Sequence, residues 1–402
     1  MHVAQFIHRY PPALGGAEQW IARLSRGLSA RGDQVTVRTT TALDLSALWR
    51  KGHAGTLPGD RIEEGILVKR FRPVCRFPGR KYLLKPLSLL GQYGQLWFEP
   101  VNPIVPGMWR DVEQDQTPCD VVHAAAFPFG WIMGCAERLA KRHRAPLVLT
   151  PFLHLGTAQT ARAYTPRALC RVLREANRVL VQTPTEFEAV AQLGVERKRI
   201  VLQGLGVDPA ECTGGDRQQA RKRWGISEEA IVVGHLANQS REKGTLDLLA
   251  AHQASPNFHL LLAGPFMPAF QRHWEALPTQ PGITQLGPLS DGDKKDFFAA
   301  LDLFAMPSLT DSFGLVFLEA WANGLPVIGY RAGGVADVIH HEKDGLLVDY
   351  NPGNLTSLIE ALQRLVGNPD LRTSYGHAGQ ERLPIDFRWE EKIEIAREVM
   401  RI

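Results

Sequence analysis

The chain reads as an α/β protein made of two successive doubly wound halves, and three observations carry that reading. Short apolar stretches that fit buried parallel strands alternate with stretches of helical period along nearly the whole sequence. Glycine-rich turns stand between strand and helix, where βαβ units place their ligand-facing loops. After Gly204-Leu205-Gly206-Val207-Asp208-Pro209 a polar region runs to Arg223, and the alternation then begins again.

Composition sets the outer limits. The 402 residues are 44% hydrophobic and 22% charged, which is ordinary for a globular protein of two or three domains. A net charge of +4 is too weak to argue for nucleic acid as a partner. The five cysteines (Cys75, Cys119, Cys135, Cys170, Cys212) are far apart and form no C-x-x-C pair, so they read as reduced thiols of a cytoplasmic protein. No apolar run approaches the ~18 residues of a membrane span, and the first residues do not open a signal peptide.

Taken in order, residues 3–8 are a strand, Gly15-Gly16 a turn, and Trp20, Ile21, Leu24 and Leu28 the apolar stripe of a helix; residues 34–38 return as a second strand. Gly15 and Gly16 sit at the mouth of this unit, where bare backbone allows a diphosphate to approach, although a plain connecting turn uses the same residues. Strands follow at 119–123, 147–154, 179–183 and 200–203, two of them ending in His123 and His154. Taken alone, His123 reads more readily as a satisfied core histidine than as a ligand.

Residues 69–98 are compositionally odd. Seven basic residues (Lys69, Arg70, Arg72, Arg76, Arg80, Lys81, Lys85) occur there with no acidic one, interleaved with Phe71, Phe77, Tyr82, Leu83, Leu84, Leu87, Leu89, Leu90 and Trp97. Two readings stand: peripheral contact with an anionic membrane surface, at the inner face if the protein is cytoplasmic, or a flap with a solvated basic face.

The second half places strands at 231–235, 260–265, 283–286, 303–306, 327–328 and 344–348. Lys243 falls at its first strand-to-helix turn, where an ammonium group suits a diphosphate; an ordinary surface lysine would sit there too. Residues 310–327 organise this half. They predict a helix over 313–323, with Asp311 or Ser312 as N-cap, Gly324 as its stop and Pro326 before the next strand. The first turn (Phe313, Gly314, Leu315) offers free N–H groups to an anion. Glu319, between Leu318 and Ala320, needs a partner for its charge. Carboxylates suit sugar hydroxyls and amides suit phosphate, so the stretch describes a nucleotide-sugar pocket; its plain alternative is a solvated Glu on an outer helix face.

Other chemistries find little support. The sequence contains no G-x-G-x-x-G, no G-x-x-x-x-G-K and no H-E-x-x-H, which argues against a nicotinamide dehydrogenase, a P-loop enzyme and a zinc protease. Asp291-Gly292-Asp293 matches the D-x-D of metal-dependent transferases, but N-cap chemistry explains it more economically.

The stretch Asp311-Ser312-Phe313-Gly314, then Glu319-Ala320, resembles the E-x7-E element of family 4 glycosyltransferases, with Asp in place of the first Glu. Gly15-Gly16-Ala17-Glu18 resembles the family's Gly-Gly-x-Glu turn, and residues 120–123 its Asp-Val-Val-His strand, with Ala125 where a second His is usual. Residues 204–208 resemble its inter-domain joint. The resemblance implies a GT-B fold: two Rossmann-like domains facing across a cleft, here 1–204 and 205–378, with a C-terminal helix at 379–402 returning to the first. It implies a retaining transfer of sugar from a nucleoside-diphosphate sugar to a glycan or lipid-linked acceptor, with no metal ion or other cofactor expected. By the same resemblance Asp311, Lys243, Glu319 and His123 are catalytic candidates. Gly15, Gly16, Asn238, Arg241, Phe313, Gly314, Leu315, Glu319 and His154 are donor-binding candidates. Asn238 stands where the family has an Arg, and Arg241 is its nearest substitute. Two other classes stay open: a catalytically inactive sugar-nucleotide-binding homologue, and a GT-B enzyme of different chemistry, such as an epimerase or a phosphorylase.

Overall fold

The computed structural model describes residues 1–49, 55–74, 79–99, 102–276 and 281–402. The chain divides into two compact units, each with its own sheet. The first comprises Met1–Leu153, Gln159–Gly204 and Glu390–Ile402; the second comprises His154–Ala158 and Leu205–Trp389.

The first unit is built on eight strands: β1 (His2–Phe6), β2 (Gln34–Thr40), β3 (Gly59–Glu63), β4 (Ile66–Phe71), β5 (Val121–Ala124), β6 (Leu147–Leu149), β7 (Arg178–Val181) and β8 (Ile200–Leu202). Their order is β3-β4-β2-β1-β5-β6-β7-β8. All neighbours are parallel except β3 and β4. A parallel sheet is covered on both faces, so β5 and β6 are buried throughout and β1 from its second residue on. β3 is the exception: it is an edge strand of mostly exposed residues, GDRIE, without the pattern that makes a strand visible in sequence.

The helix Gly16–Ala30 buries Trp20, Ile21, Leu24 and Leu28, the stripe its period predicts. Full burial of such side chains contributes about 1.5–3 kcal/mol each. The end of the chain also belongs here: Arg397 Nε lies 2.6 Å from Asp33 Oδ2, and Arg31 Nε 3.2 Å from Glu394 Oε2. Cys119, Cys135, Cys170 and Cys212 are unpaired and buried, and burial pushes the Cys119 thiol up to about 11. Cys75 lies outside the described residues.

The second unit has six parallel strands: β9 (Val232–Leu236), β10 (His259–Ala263), β11 (Ile283–Gln285), β12 (Leu303–Met306), β13 (Val327–Tyr330) and β14 (Gly345–Val348). Their order is β11-β10-β9-β12-β13-β14. Val233, Leu260, Leu262, Leu303, Ile328 and Leu346 form the centre of its core with Leu248 and Leu362 from the covering helices. The strand order reverses between β9 and β12, and in open α/β sheets ligands bind beyond the carboxyl ends at that point. His235 ties the two strands together there, with Nδ1 2.9 Å from the Ala305 carbonyl and Nε2 3.0 Å from Thr245 Oγ1. No helix among the described residues is long and apolar enough to cross a membrane.

Candidate functional site

The loops that leave β9 and β12 carry Lys243 and Asp311, and backbone contacts zip them together. Leu309 N–H donates to the Glu242 carbonyl at 2.8 Å, and Gly334 N–H, from the loop after Val327–Tyr330, donates to the Asp311 carbonyl at 3.0 Å. Side chains are excluded at the crossings. A Cβ on Gly244, whose φ is +76°, would stand 2.1 Å from the Pro307 carbonyl oxygen, and one on Gly156 would stand 1.4 Å from that of Leu309. Only glycine permits so close an approach.

At this junction Lys243 Nζ lies 2.7 Å from Asp311 Oδ2, with side chains 20% and 15% exposed. Burial works to raise the Asp311 carboxyl, but Lys243 and His154 outweigh it and hold it below the usual carboxylate range. His154 arrives from the segment His154–Ala158. Burial first, then the nearby Lys243 cation, push its ring down to about 4, so it is neutral at pH 7. A cation, a carboxylate and an uncharged imidazole thus share one corner of the second unit.

The helix after this loop is Leu315–Ala322, and its N-cap is Gly314 at φ +91° rather than Asp311 or Ser312. The expectation of a side-chain cap is corrected here, because the Asp311 carboxylate is taken by Lys243. A Cβ on Gly314 would lie 2.7 Å from the Phe317 ring. With no side chain bonded at the cap, the first-turn amides of Leu315 and Val316 are left for an anion. Phe313 is 4% exposed and packs edge-on against Phe387, so its side chain belongs to the core and not to a ligand surface.

Glu319 has the partner its position demands. Lys294, on the helix Asp291–Ala300, forms a close ion pair with Glu319 Oε1, and the two side chains are 20% and 12% exposed. Burial raises the Glu319 carboxyl above its ordinary value, and Lys294 only partly offsets that. Sequence reasoning missed Lys294; its signal was a lysine one turn into a helix already noted for its N-cap. Ser290 caps that helix, accepting from Asp293 N–H at 3.2 Å. Asn238 and Arg241 are exposed, and Arg241 takes part in the turn through its carbonyl, which accepts from Gly244 N–H at 3.0 Å.

Gly15, Gly16 and His123 belong to the first unit. Gly15 caps the helix Gly16–Ala30, and a Cβ there would stand 2.1 Å from Glu18 Oε2. Glu18 is itself buried against Arg9 at 2.7 Å and His8 at 3.1 Å. His123 is not at an accessible strand tip. It is fully buried, its Nε2 is 2.9 Å from Thr150 Oγ1 and its Nδ1 3.4 Å from Gln5 Nε2, and desolvation lowers its pKa to about 3. The catalytic expectation for His123 is therefore corrected: it is a core histidine with both nitrogens engaged.

The two-sheet architecture matches solved GT-B structures. Sucrose-phosphate synthase from Thermosynechococcus elongatus superposes with a TM-score of 0.76 at 21% identity, covering 100% of this chain and 98% of that one. Anabaena HepE, solved in complex with UDP and glucose, gives 0.75 at 19% identity, covering 99% and 98%. Residues 15–206 match the glycosyl transferase 4-like domain, and residues 216–382 match the glycosyl transferases group 1 family. The D-inositol 3-phosphate glycosyltransferase of Mycobacterium sp. (strain KMS) is 31% identical over 369 residues, covering 87% of this chain and 77% of the relative. That of Pseudarthrobacter chlorophenolicus is 31% identical over 223 residues, about half of each chain at 53%. The chain belongs to the GT-B glycosyltransferases of family 4.

Proposed function

We propose that the protein transfers a sugar from a nucleoside-diphosphate sugar to a hydroxyl of a glycan or lipid-linked acceptor, with retention and without a metal ion. The Lys243–Asp311 pair beside neutral His154, at the strand-order reversal of the second sheet, carries this reading. In it, Lys243 and the first-turn amides of Leu315 and Val316 stabilise the leaving diphosphate, with Arg241 assisting. Asp311 and His154 face the transferred sugar, and Glu319, oriented by Lys294, accepts from the ribose hydroxyls. Gly15 and Gly16 offer bare backbone to an anionic group at the start of a helix. The bond from the anomeric carbon to the leaving phosphate breaks, a bond to the acceptor oxygen forms on the same face, and the acceptor's proton passes to the leaving phosphate. Structures of Anabaena HepE hold UDP and UDP-glucose, which supports a donor of that class.

The test is a thermal-shift panel of UDP, GDP, ADP and dTDP with their sugar conjugates, in EDTA. One base is expected to raise the melting point; a ligand at 100 Kd adds about 2.7 kcal/mol. Absence of any shift would overturn the donor assignment. A shift with no transfer to any acceptor would favour an inactive binding protein, and conversion of the sugar nucleotide without acceptor an epimerase.

A further inference from the structure

Two short helices of the first unit, Arg80–Ser88 and Gly91–Phe98, pack against each other and present an unusual outer side. Tyr82, Leu83, Leu87, Leu89 and Leu90 are 74%, 60%, 37%, 73% and 70% exposed. Single exposed apolar residues are ordinary; five within nine positions are not. Among the described side chains of the first helix, Leu84 and Ser88 are the buried ones, one turn apart, and they form its inward stripe.

The patch stands on a firm base. Leu96 is 1% exposed, and the Trp97 ring meets Trp109 and Trp131 edge-on at 4.7 and 5.0 Å. Gln95 Oε1 accepts from Ala168 N–H at 2.9 Å.

The charged residues of the segment 69–98 are all basic. Of the seven basic residues in 69–98, Lys69 is taken by Asp111 at 2.8 Å and Arg70 by Glu63. Arg72 is exposed, and Lys85 is 56% exposed at 3.5 Å from Glu99. Arg80 and Lys81 open the first helix, while Arg76 and Phe77 lie outside the described residues.

We propose that this helix pair docks the first unit on an anionic lipid bilayer. Tyr82, Leu83, Leu87, Leu89 and Leu90 enter the interface, while Arg72 and Lys85 face the headgroups. Leucines with a neighbouring tyrosine suit the acyl boundary, and an exposed arginine and a half-exposed lysine at its edge suit anionic lipid. A second copy of the chain fits less well, because a two-fold contact sets the same basic residues against each other. The inference gives a partner to the acceptor reading above, but it stands on its own observations and is tested apart from donor binding.

The experiment is co-sedimentation of the full chain with vesicles of phosphatidylcholine, with and without phosphatidylglycerol. Wild type is expected to pellet only with phosphatidylglycerol at low salt and to be released at high salt. Leu83→Glu with Leu90→Glu should weaken binding about tenfold or more, and Lys85→Gln about fivefold. The nucleotide-induced melting shift should be unchanged in both variants, which separates this inference from failure of the donor site and shows that they fold. No pelleting at low salt would overturn it, as would pelleting that neutral vesicles share and the substitutions leave intact. A dimer in light scattering that Leu83→Glu with Leu90→Glu disperses, without vesicle binding, would replace the bilayer with a second copy.

Discussion

Lys243 and Asp311 stand 68 residues apart in the chain and meet at 2.7 Å, because β9 and β12 are neighbours and both loops leave the same end of the sheet. One structural effect of the pair and one role proposed for it separate experimentally. It neutralises a mostly buried carboxylate, and in the proposed transfer its ammonium group stabilises the leaving diphosphate.

Lys243→Met should therefore lower kcat by about 10²–10³-fold, as loss of a preorganised charge donor does. It should also cost about 1–3 kcal/mol of stability, less than a fully buried pair because both side chains retain some solvent. Initial rates and urea unfolding of Lys243→Met, Asp311→Asn and the double variant measure both effects. If the two substitutions prove additive in stability, the pair is not coupled as described.

Lys294 and Glu319 predict a different signature. If Glu319 accepts from ribose hydroxyls, the nucleotide should bind more tightly than its 2′,3′-dideoxy analogue, and Glu319→Gln should shrink that gap about tenfold. Lys294→Met should shrink it too, because an unneutralised Glu319 is driven further toward its protonated form. Calorimetry with the two nucleotides checks this; a gap unchanged in both variants would remove Glu319 from the ribose site.

Glu186 gives a pH dependence. Its carboxyl is 1% exposed and accepts from Leu153 N–H and Gln182 N–H, both at 2.7 Å, and burial pushes it up to about 7. Between the ordinary value of 4.5 and about 7, the unfolded chain has released this proton while the folded chain still holds it. Stability should then fall as pH rises through that window, by up to about 3 kcal/mol, and level off above it. Melting temperatures from pH 4.5 to 7.5 should show this fall in wild type and a shallower one in Glu186→Gln. Parallel curves would mean that Glu186 titrates as an ordinary carboxylate.

Much of the fold was legible because parallel strands announce themselves. Residues 303–306 were placed as a strand from their apolar run alone, and the structure places β12 there. β3 was not legible, since a short polar edge strand carries no burial pattern, and β4 was obscured by its lysine and arginine. Lys243, Asp311, His154 and Glu319 were legible as residue types at turns and in an apolar helix. His123 was misplaced as a catalytic candidate, because exposure is set by packing from other elements: Thr150 and Gln5 hold its ring in the core.

By itself the sequence determined two α/β halves, their strand-and-glycine alternation, and a lysine and two carboxylates at turns and in an apolar helix, since periodicity and turn chemistry are local properties. Only the tertiary structure decided which charges meet. Lys294 finds Glu319 and Lys243 finds Asp311 because strand order and helix packing bring distant segments together, and a buried charge is tolerable only where such a partner arrives.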